Sequence, residues 1–440
     1  MSRPIQSYRI EPGQALGGEI AVPGDKSISH RAVMLGSIAQ GTTTVHGFLE
    51  SEDCRATLAA LKQMSVDCQR QVDGSLVIAG VGPGGLEPPE AALDLGNSGT
   101  GMRLLIGLLA GQGVAAELTG DESLRGRPME RIAAPLRAMG ADIDLDEGTA
   151  PVRVHTRVGL RGIRYELPVA SAQIKSAVLM AGIGADGLTE VVSPGPTRDH
   201  TERMLRTMGV PLLVSEDGLQ IGLDGPADLT ATDIHVPGDL SSAAFFIVGA
   251  CLGGREPLLL RNVGVNPTRR GVLTILRLMG AEIQIENETQ YGSEPVADIR
   301  VFPGELAGIE VPASLVPLAI DELPVIFVAA AAAQGRTVVT GAEELRVKES
   351  DRLSAMAKAL QGIGVIVEET VDGMIIEGGQ IQGGTIDTEG DHRIAMSLAI
   401  AGLVSQSPIT VRDTESVVTS FPNFVEVAAQ ANLEIAVSES

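Results

Sequence analysis

The chain has 440 residues, of which 44% are hydrophobic and only 2% aromatic, so it is long enough for two or three domains with an aliphatic core and is not disordered. Its formal net charge of −23 argues against nucleic acid and anionic membranes as partners. Cys54, Cys68 and Cys251 are too few and too scattered for a disulfide framework or a zinc site, which favours a reducing cytoplasm. No apolar signal core is found near the N-terminus, and the longest apolar runs predict buried helices too short to span a bilayer.

The first predicted helix begins in the most informative stretch of the chain, residues 23–31, which read Pro-Gly-Asp-Lys-Ser-Ile-Ser-His-Arg. Asp25 is a typical N-cap residue, so Lys26 and Ser27 fall in the first helical turn and Arg31 about one turn later. A helix N-terminus has free N–H groups and a partial positive charge, and cations normally avoid it. Two cations and a hydroxyl at this end therefore predict a binding site for a phosphate or a carboxylate.

A phrase of the form Leu-x-x-Met-Gly recurs along the chain and predicts six copies of one α/β unit. Each copy is typical of a helix C-terminus, with Gly or Asn after the helix in most copies, and a predicted strand follows. We expect each unit to contain a buried Ala-rich helix, an amphipathic helix and about four strands. The copies lie at residues 61–64, 136–140, 205–209, 276–280, 360–364 and, more weakly, 428–432.

The six units are expected to form two similar halves. Val-Pro-Gly-Asp at residues 22–25 returns at residues 236–239, where Leu-Ser-Ser follows without Lys or Arg. A duplicated start with only one basic copy predicts two similar domains and one asymmetric site between them. We expect one domain at residues 23–237 and a second formed by residues 1–22 and 238–440, with the active site in the cleft between them.

Charged residues also collect at the starts of later predicted helices. If the repeats aim these helix ends at one cleft, that cleft gathers cations and helix dipoles, which suits substrates with several negative charges. Arg127, Arg352 and Arg393 are the arginines expected there. By contrast, Arg125, Arg269 and Arg270 are expected to be ordinary surface residues near helix ends.

Residues 345–352, Leu-Arg-Val-Lys-Glu-Ser-Asp-Arg, form a second strong motif. Lys348 and Arg352 are four residues apart and are expected to share one face of a helix, with Glu349 beside them. A carboxylate next to two cations belongs either to a salt-bridge ladder or to an acid–base group inside an anion site. Asp321 precedes an apolar helix, where an N-cap is the plain interpretation and a functional role is the alternative.

No motif indicates a cofactor or a metal. Residues 80–85, Gly-Val-Gly-Pro-Gly-Gly, match a dinucleotide fingerprint, but Pro83 and Pro88 exclude the helix that the fingerprint needs. The Gly-rich residues 96–101 lack the Lys of a P-loop, and the six histidines are dispersed.

Taken together, these motifs resemble the 5-enolpyruvylshikimate-3-phosphate synthase family over essentially the full length of the chain. The resemblance implies an α/β fold of two similar domains, each with three βαβαββ units around a pseudo-threefold axis. It implies a transferase that moves the enolpyruvyl group of phosphoenolpyruvate to the 5-hydroxyl of shikimate 3-phosphate by addition and elimination, on the way to chorismate and the aromatic amino acids. A cytoplasmic monomer without a cofactor, inhibited by glyphosate, is implied as well. The matching stretches are residues 23–31, 95–104, 125–129, 171–175, 197–202, 321–324, 346–353 and 391–396.

The resemblance also assigns a role to each matching residue. It implies Asp321 as the base on the 5-hydroxyl, and Glu349 and Lys26 as the groups that handle protons at the methylene carbon. The implied contacts of shikimate 3-phosphate are Lys26, Ser27, Arg31, Ser171, Ala172, Gln173, Arg198, Asp321 and Lys348. The implied contacts of phosphoenolpyruvate are Lys26, Asn97, Gly99, Arg127, Gln173, Arg352 and Arg393.

One position departs from the family pattern. Thr419 stands where many members have Lys. Together with residues 171–175 (Ser-Ala-Gln-Ile-Lys) and 198–202 (Arg-Asp-His-Thr-Glu), this resembles the class II branch. Some members of that branch tolerate glyphosate and have Ala in the loop at residues 97–100, whereas this chain has Gly99, so the sequence predicts neither tolerance nor sensitivity.

Two alternative functions stay open at this point. One is the sister enolpyruvyl transferase acting on UDP-N-acetylglucosamine, which uses a Cys on a mobile loop and lacks the Lys-Ser…Arg start. The other is a non-catalytic anion-binding relative, which could lose Asp321 and Glu349, although both are present here.

Overall fold

One arrangement of strands repeats along the chain in the computed structural model, which describes residues 6–156 and 159–439. The described residues contain six sheets, five with four strands and one with three. The strands are β1 (Gln6–Ile10), β2 (Gly18–Ile20), β3 (Gln40–His46), β4 (Asp67–Arg70), β5 (Leu76–Val81), β6 (Leu93–Asp94), β7 (Ala116–Thr119), β8 (Ile143–Asp146), β9 (Thr149–Val154), β10 (Arg164–Glu166), β11 (Gly187–Val192), β12 (Leu212–Val214), β13 (Gln220–Gly225), β14 (Ile234–His235), β15 (Leu258–Gly264), β16 (Ile283–Tyr291), β17 (Glu294–Val301), β18 (Arg336–Val339), β19 (Ile366–Glu369), β20 (Met374–Glu377), β21 (Gly384–Asp387), β22 (Ile409–Arg412) and β23 (Ile435–Glu439).

Two kinds of helix alternate between these strands. The helices are α1 (Lys26–Ile38), α2 (Glu52–Gln63), α3 (Gly99–Gln112), α4 (Glu122–Arg125), α5 (Glu130–Ala138), α6 (Ala172–Gly182), α7 (His200–Thr207), α8 (Leu240–Gly253), α9 (Gly271–Leu278), α10 (Leu323–Ala332), α11 (Arg352–Gly362), α12 (His392–Ala401) and α13 (Phe424–Gln430), with 3₁₀ helices at Ala313–Leu315, Glu343–Val347 and Glu415–Thr419. The apolar runs fold as α8 and α10, which are buried as predicted. Among the helices that the structure describes, none combines the length and the hydropathy needed to span a membrane.

The sheets share one strand order. In the sheet β14-β3-β5-β4, an outer strand pairs in parallel with the strand after the Ala-rich helix, and the remaining pairs are antiparallel. The same order holds for β10-β11-β13-β12 and β6-β7-β9-β8. In the three-stranded sheet β18-β20-β19, an isolated parallel bridge from Glu310 to Val338 takes the place of the outer strand. The predicted six-fold repeat is confirmed.

The recurring phrase ends a helix in every copy. Helices α2, α5, α7, α9, α11 and α13 each end there, and the residue that follows turns the chain with a positive φ. Gly140 (φ 102°) and Gly209 (φ 88°) adopt this conformation without the steric cost that a Cβ would add. The first and last copies use Ser65 and Asn432 instead.

The N-terminal strand completes the last repeat. β1 lies between β22 and β23, antiparallel to both, with Ser7 opposite Arg412 on one side and Ser438 on the other. In the other four-stranded sheets this middle position belongs to a strand of the same repeat, as β5 does beside β3. The sixth repeat therefore takes one strand from the opposite end of the chain.

The chain divides into two compact units. The N-terminal unit comprises Gly24–Val236 and Gln290–Glu294, the tip of the β16–β17 hairpin. The C-terminal unit comprises the residues up to Pro23, Pro237–Thr289 and those from Pro295 onward. Each unit has its own buried hydrophobic core.

Candidate active site

Three helices of the N-terminal unit begin at capped ends that carry predicted site residues. The side chain of Asp25 accepts the backbone N–H of Ile28 (2.9 Å), so Lys26 is the first residue of α1. Ser98 and Ser171 cap α3 and α6 in the same way, so these helices begin at Gly99 and Ala172. Because each cap is a local sequence signal, the sequence could place these three helix starts correctly.

Lys26 is held by a carboxylate on the neighbouring helix. Its Nζ lies 2.9 Å from Oδ2 of Asp53 in the first turn of α2, and the two side chains are only 15% and 8% exposed. A cation at one helix start is thus balanced by an anion at the next, where the α2 dipole favours negative charge. Asp53 was not among the site residues predicted from the sequence, although an acid in the first turn of a helix is a recognisable signal.

Arg31 is buried and ties α1 to α6 and α7. Its Nε donates to Oγ1 of Thr201 (2.7 Å), Nη2 to Oγ of Ser176 (2.8 Å) and Nη1 to the carbonyl of Ser27 (2.8 Å). Burial lowers the pKa of Arg31 to about 10, with the half-buried Arg198 contributing in the same direction. Arg31 therefore stays charged at neutral pH and fixes the orientation of the α1 start.

Gly99 allows Arg127 to approach the start of α3. Nη2 of Arg127 donates to Oδ1 of Asn97 (2.6 Å) and to Oγ of Ser123 (3.2 Å), and Nδ2 of Asn97 donates to Asp121 (2.8 Å). A Cβ at Gly99 would lie only 2.9 Å from Nη1 of Arg127. The absence of a side chain at this position is what makes room for the guanidinium.

Gln173 joins α3 and α6 through both ends of its amide. Its Oε1 accepts from Nη1 of Arg103 (2.7 Å), and its Nε2 donates to Oγ1 of Thr100 (3.0 Å). Arg103 is buried, and its Nη2 donates to the carbonyl of Pro128 at 3.4 Å. Arg103 was not among the site residues predicted from the sequence, although a cation inside the apolar helix α3 is an unusual feature.

Asp321 lies between two cations of the C-terminal unit. Its Oδ1 is 3.6 Å from Nζ of Lys348 and 3.6 Å from Nη1 of Arg352. Nη2 of Arg352 also pairs with Oε2 of Glu349. The structure therefore brings together the two carboxylates that the sequence singled out and two of its predicted cations.

Two expectations about these residues are wrong. Asp321 is not an N-cap, because α10 begins at Leu323 with Glu322 in the cap position. Lys348 and Arg352 do not share a helix face, because a 3₁₀ helix ends at Val347 and α11 begins only at Arg352. The physical reason is a local cap: the side chain of Asp351 accepts the N–H of Ser354 and starts α11 there.

Asp391 organises both arginines of this cluster. It accepts from Nε of Arg352 (2.7 Å) and Nη2 of Arg352 (3.3 Å), and as the N-cap of α12 it accepts the backbone N–H of Arg393 (2.9 Å). Nη1 of Arg393 donates to the backbone carbonyl of Asp321 (2.9 Å). Asp321, Arg352 and Arg393 are thus linked through main-chain and side-chain hydrogen bonds.

The charges in this cluster stabilise one another despite burial. Burial alone would lower the pKa of Arg352, but the carboxylates of Asp391 and Glu349 outweigh it and the pKa is raised. Burial alone would raise the pKa of Asp391, but Arg352 holds it below its usual range. Both groups are therefore charged at neutral pH.

Arg269 is not the surface residue that the sequence predicted. Its side chain is 4% exposed and pairs with Asp239 (3.2 Å) and Glu322 (3.5 Å). The prediction was wrong because both partners are distant in sequence. Arg125, by contrast, is exposed as expected.

The remaining predicted residues divide between the two units. Thr419, which replaces a cation, ends the 3₁₀ helix Glu415–Thr419, and its Oγ1 donates to the carbonyl of Ser416 (2.7 Å). Lys26, Ser27, Arg31, Asn97, Gly99, Arg127, Ser171, Ala172, Gln173 and Arg198 lie in the N-terminal unit, and Asp321, Lys348, Glu349, Arg352 and Arg393 lie in the C-terminal unit.

Comparison with known proteins gives a consistent result. A family model described as EPSP synthase (3-phosphoshikimate 1-carboxyvinyltransferase) matches residues 10–428. A protein named 3-phosphoshikimate 1-carboxyvinyltransferase from Methylococcus capsulatus is 56% identical over 432 residues, 98% of each chain. One of the same name from Hydrogenovibrio crunogenus is 52% identical over 445 residues, 100% of each chain. The solved structure of EPSP synthase from Acinetobacter baumannii, 50% identical, matches with a TM-score of 0.88 over 99% of this chain and 100% of that one.

Proposed function

Because the chain belongs to the EPSP synthase family, we propose that the two clusters of charged side chains bind and activate the substrates of that family's reaction. The resemblance seen in the sequence motifs is confirmed by the family match over residues 10–428. The protein is a transferase of the shikimate pathway. It moves the enolpyruvyl group of phosphoenolpyruvate to the 5-hydroxyl of shikimate 3-phosphate and releases phosphate.

Arginines would bind phosphoenolpyruvate. A guanidinium offers a planar fork of donors that fits a carboxylate or a phosphate, and Arg127, Arg352 and Arg393 are each fixed by hydrogen bonds to their own neighbours. Side chains that are already ordered lose little conformational entropy on binding. Asn97, Gly99, Gln173 and Lys26 would complete this subsite.

The capped helix starts would bind shikimate 3-phosphate. Ser27 and Ala172 lie in the first turns of α1 and α6, where free N–H groups and the helix dipole favour an anion. The proposed contacts are Lys26, Ser27, Arg31, Ser171, Ala172, Gln173, Arg198, Asp321 and Lys348.

Three residues would carry the proton transfers. Glu349 and Lys26 handle the proton transfers at the methylene carbon of phosphoenolpyruvate, which gains one proton while the 5-hydroxyl of shikimate 3-phosphate attacks the adjacent carbon. Asp321 accepts the hydroxyl proton in this step. In the second step phosphate leaves with the proton that Asp321 accepted, and one methyl proton returns to Glu349 and Lys26. The double bond is restored, and each group regains its starting protonation state.

The position of the Asp321 carboxylate, 3.6 Å from both Lys348 and Arg352, is the observation that carries this assignment. Asp321→Asn keeps the shape of the side chain but removes the base, so we expect kcat to fall about 100-fold or more, in the range typical of general bases. Phosphate release with both substrates measures this, and the exposed Asp387→Asn is the control. An unchanged kcat in Asp321→Asn would refute the assignment.

The same assay distinguishes the proposed function from that of the sister enolpyruvyl transferase acting on UDP-N-acetylglucosamine. That function needs a reactive thiol, whereas burial raises the pKa of Cys54, raises that of Cys68 to about 11 and raises that of Cys251 to about 12. A thiol with a raised pKa is a poor nucleophile at neutral pH. With UDP-N-acetylglucosamine as the acceptor we therefore expect no phosphate release.

Finer properties follow from the same proposal. Glyphosate, an anion like phosphoenolpyruvate, should compete for the arginine subsite.

All three cysteines are buried free thiols, which suits the reducing cytoplasm. The family resemblance also implies a monomer. Light scattering should then give the mass of one chain, 45.7 kDa.

A further inference from the structure

A buried group of four polar residues in the C-terminal unit has no part in the proposed chemistry. It consists of Asp239, Ser241, Arg269 and Glu322. Nη2 of Arg269 lies 3.2 Å from Oδ1 of Asp239, 2.5 Å from Oγ of Ser241 and 3.5 Å from Oε1 of Glu322. The hydroxyl of Ser241 also donates to Oε1 of Glu322. One cation is thus shared by two buried carboxylates.

This group lies at the second copy of the duplicated helix start. In the first copy the cation Lys26 follows Asp25 on α1 and pairs with Asp53 on α2. In the second copy Leu240 replaces the cation, and Arg269, two residues before α9, pairs with the α8 cap Asp239. The cap carboxylate is present in both copies, whereas the cation lies on the capped helix in the first copy and just before the next helix in the second. The second copy therefore has no cation in the first turn of its capped helix, and its cap residue is held by an internal ion pair.

The internal ion pair holds the residue next to the proposed base. Glu322 directly follows Asp321, and its side chain is 1% exposed. On the other side, the carbonyl of Asp321 accepts from Nη1 of Arg393. We propose that Arg269 positions Asp321 for proton abstraction by fixing Glu322, an inference that rests on the proposed role of Asp321 as the base. Arg269 is a positioning residue, because the role proposed for it is exerted through Glu322.

The test compares Arg269→Met in two backgrounds. In the wild-type background we expect kcat to fall about 10-fold or more, with KM for both substrates within about 3-fold, because only the base is misplaced. In the Asp321→Asn background the same substitution should change kcat by less than about 2-fold, since a residue that acts through Asp321 has nothing left to position. Arg269→Lys, which retains the charge, should restore part of kcat in the wild-type background.

Controls separate positioning from stability. Arg277→Met changes the same helix, α9, where Arg277 donates to the carbonyl of Ile283, and should lower Tm without lowering kcat. If Arg269→Met does not fold, Glu322→Gln provides the same comparison, because Gln keeps the acceptor for Ser241 and removes the charge that attracts Arg269.

The outcomes are distinct. An equal fold-loss of kcat in both backgrounds, or an unchanged kcat in the wild-type background, would overturn the positioning role while leaving the base assignment intact. A normal kcat in Asp321→Asn alone would instead refute the base assignment.

Discussion

Adding one methyl group at Gly99 should disturb the position of the Arg127 guanidinium. Its Cβ would lie 2.9 Å from Nη1 of Arg127, a guanidinium already anchored by Asn97, so Gly99→Ala should displace Arg127. Weakening one charge-assisted hydrogen bond is worth about 1.5–3 kcal/mol, so we expect KM for phosphoenolpyruvate to rise about 10-fold or more. KM for shikimate 3-phosphate should stay within about 2-fold. Steady-state kinetics with each substrate varied measures the difference.

A matched substitution lies beside Arg127 itself. A Cβ at Gly126 would meet its nearest neighbour, the carbonyl of Ser123, at 3.6 Å, which is ordinary contact. Gly126→Ala should therefore leave both KM values unchanged. If the two variants had the same KM for phosphoenolpyruvate, crowding of Arg127 by a side chain at Gly99 would be ruled out as the cause.

His30 makes folding sensitive to acid. Its Nδ1 lies 2.9 Å from Oγ1 of Thr57, and burial, with Lys26 and Arg31 nearby, holds the pKa of His30 well below the usual 6.5. Above about pH 6.5 the ring is neutral in both the folded and the unfolded chain, so it does not change the free energy of unfolding. Below it the unfolded chain binds a proton that the folded chain does not, so the free energy of unfolding falls by about 1.4 kcal/mol per pH unit.

Removing the imidazole should remove this contribution to the pH dependence of the free energy of unfolding. Between pH 7 and about pH 5.5, His30→Gln should lose about 1.4 kcal/mol less stability than the wild type. Urea unfolding at several pH values measures the two slopes. Parallel slopes for the wild type and His30→Gln would contradict a depressed pKa at His30.

At the scale of single elements, the sequence predicts what a local signal decides. Asp25 sets the start of α1, and Gly140 and Gly209 set the ends of α5 and α7. The prediction of one continuous helix before Arg352 was wrong because two local signals compete there. The i,i+4 spacing of Lys348 and Arg352 favours one helix, whereas the Asp351 cap begins a new one. The cap prevails because it satisfies a backbone N–H that the helix start would otherwise leave unpaired.

Local sequence patterns cannot predict which side chains from different helices will become partners. Arg269 meets Asp239 and Glu322, which are 30 and 53 residues away in sequence, only after three helices have packed. Arg103 likewise meets Gln173 across α3 and α6. Residue types at helix starts were therefore enough to propose candidate site residues, whereas partners such as Asp239, Glu322 and Arg103 become visible only in the folded chain.

At the scale of the molecule, the order of strands in space differs from their order in the chain. The repeated phrase predicts six units, but no local pattern indicates that β1 is the middle strand of the last sheet. There its backbone bonds to β22 and β23 at once, and Tyr8 and Ile10 enter the C-terminal core. A middle strand contributes two ladders of hydrogen bonds, so its loss costs more than that of an edge strand.

This arrangement predicts opposite outcomes for two changes at the chain ends. Deleting residues 1–10 removes β1, so the cooperative thermal transition of the C-terminal unit should be lost. A circular permutant should keep it, because Gln6 and Glu439 are paired neighbours and a short Gly/Ser linker can join the original ends. New ends at the exposed turn around Gly74 interrupt neither core, so kcat should stay within about 3-fold. Calorimetry and phosphate release measure both chains. A deletion variant that kept the full transition would show that β22 and β23 hold the sheet without the strand between them.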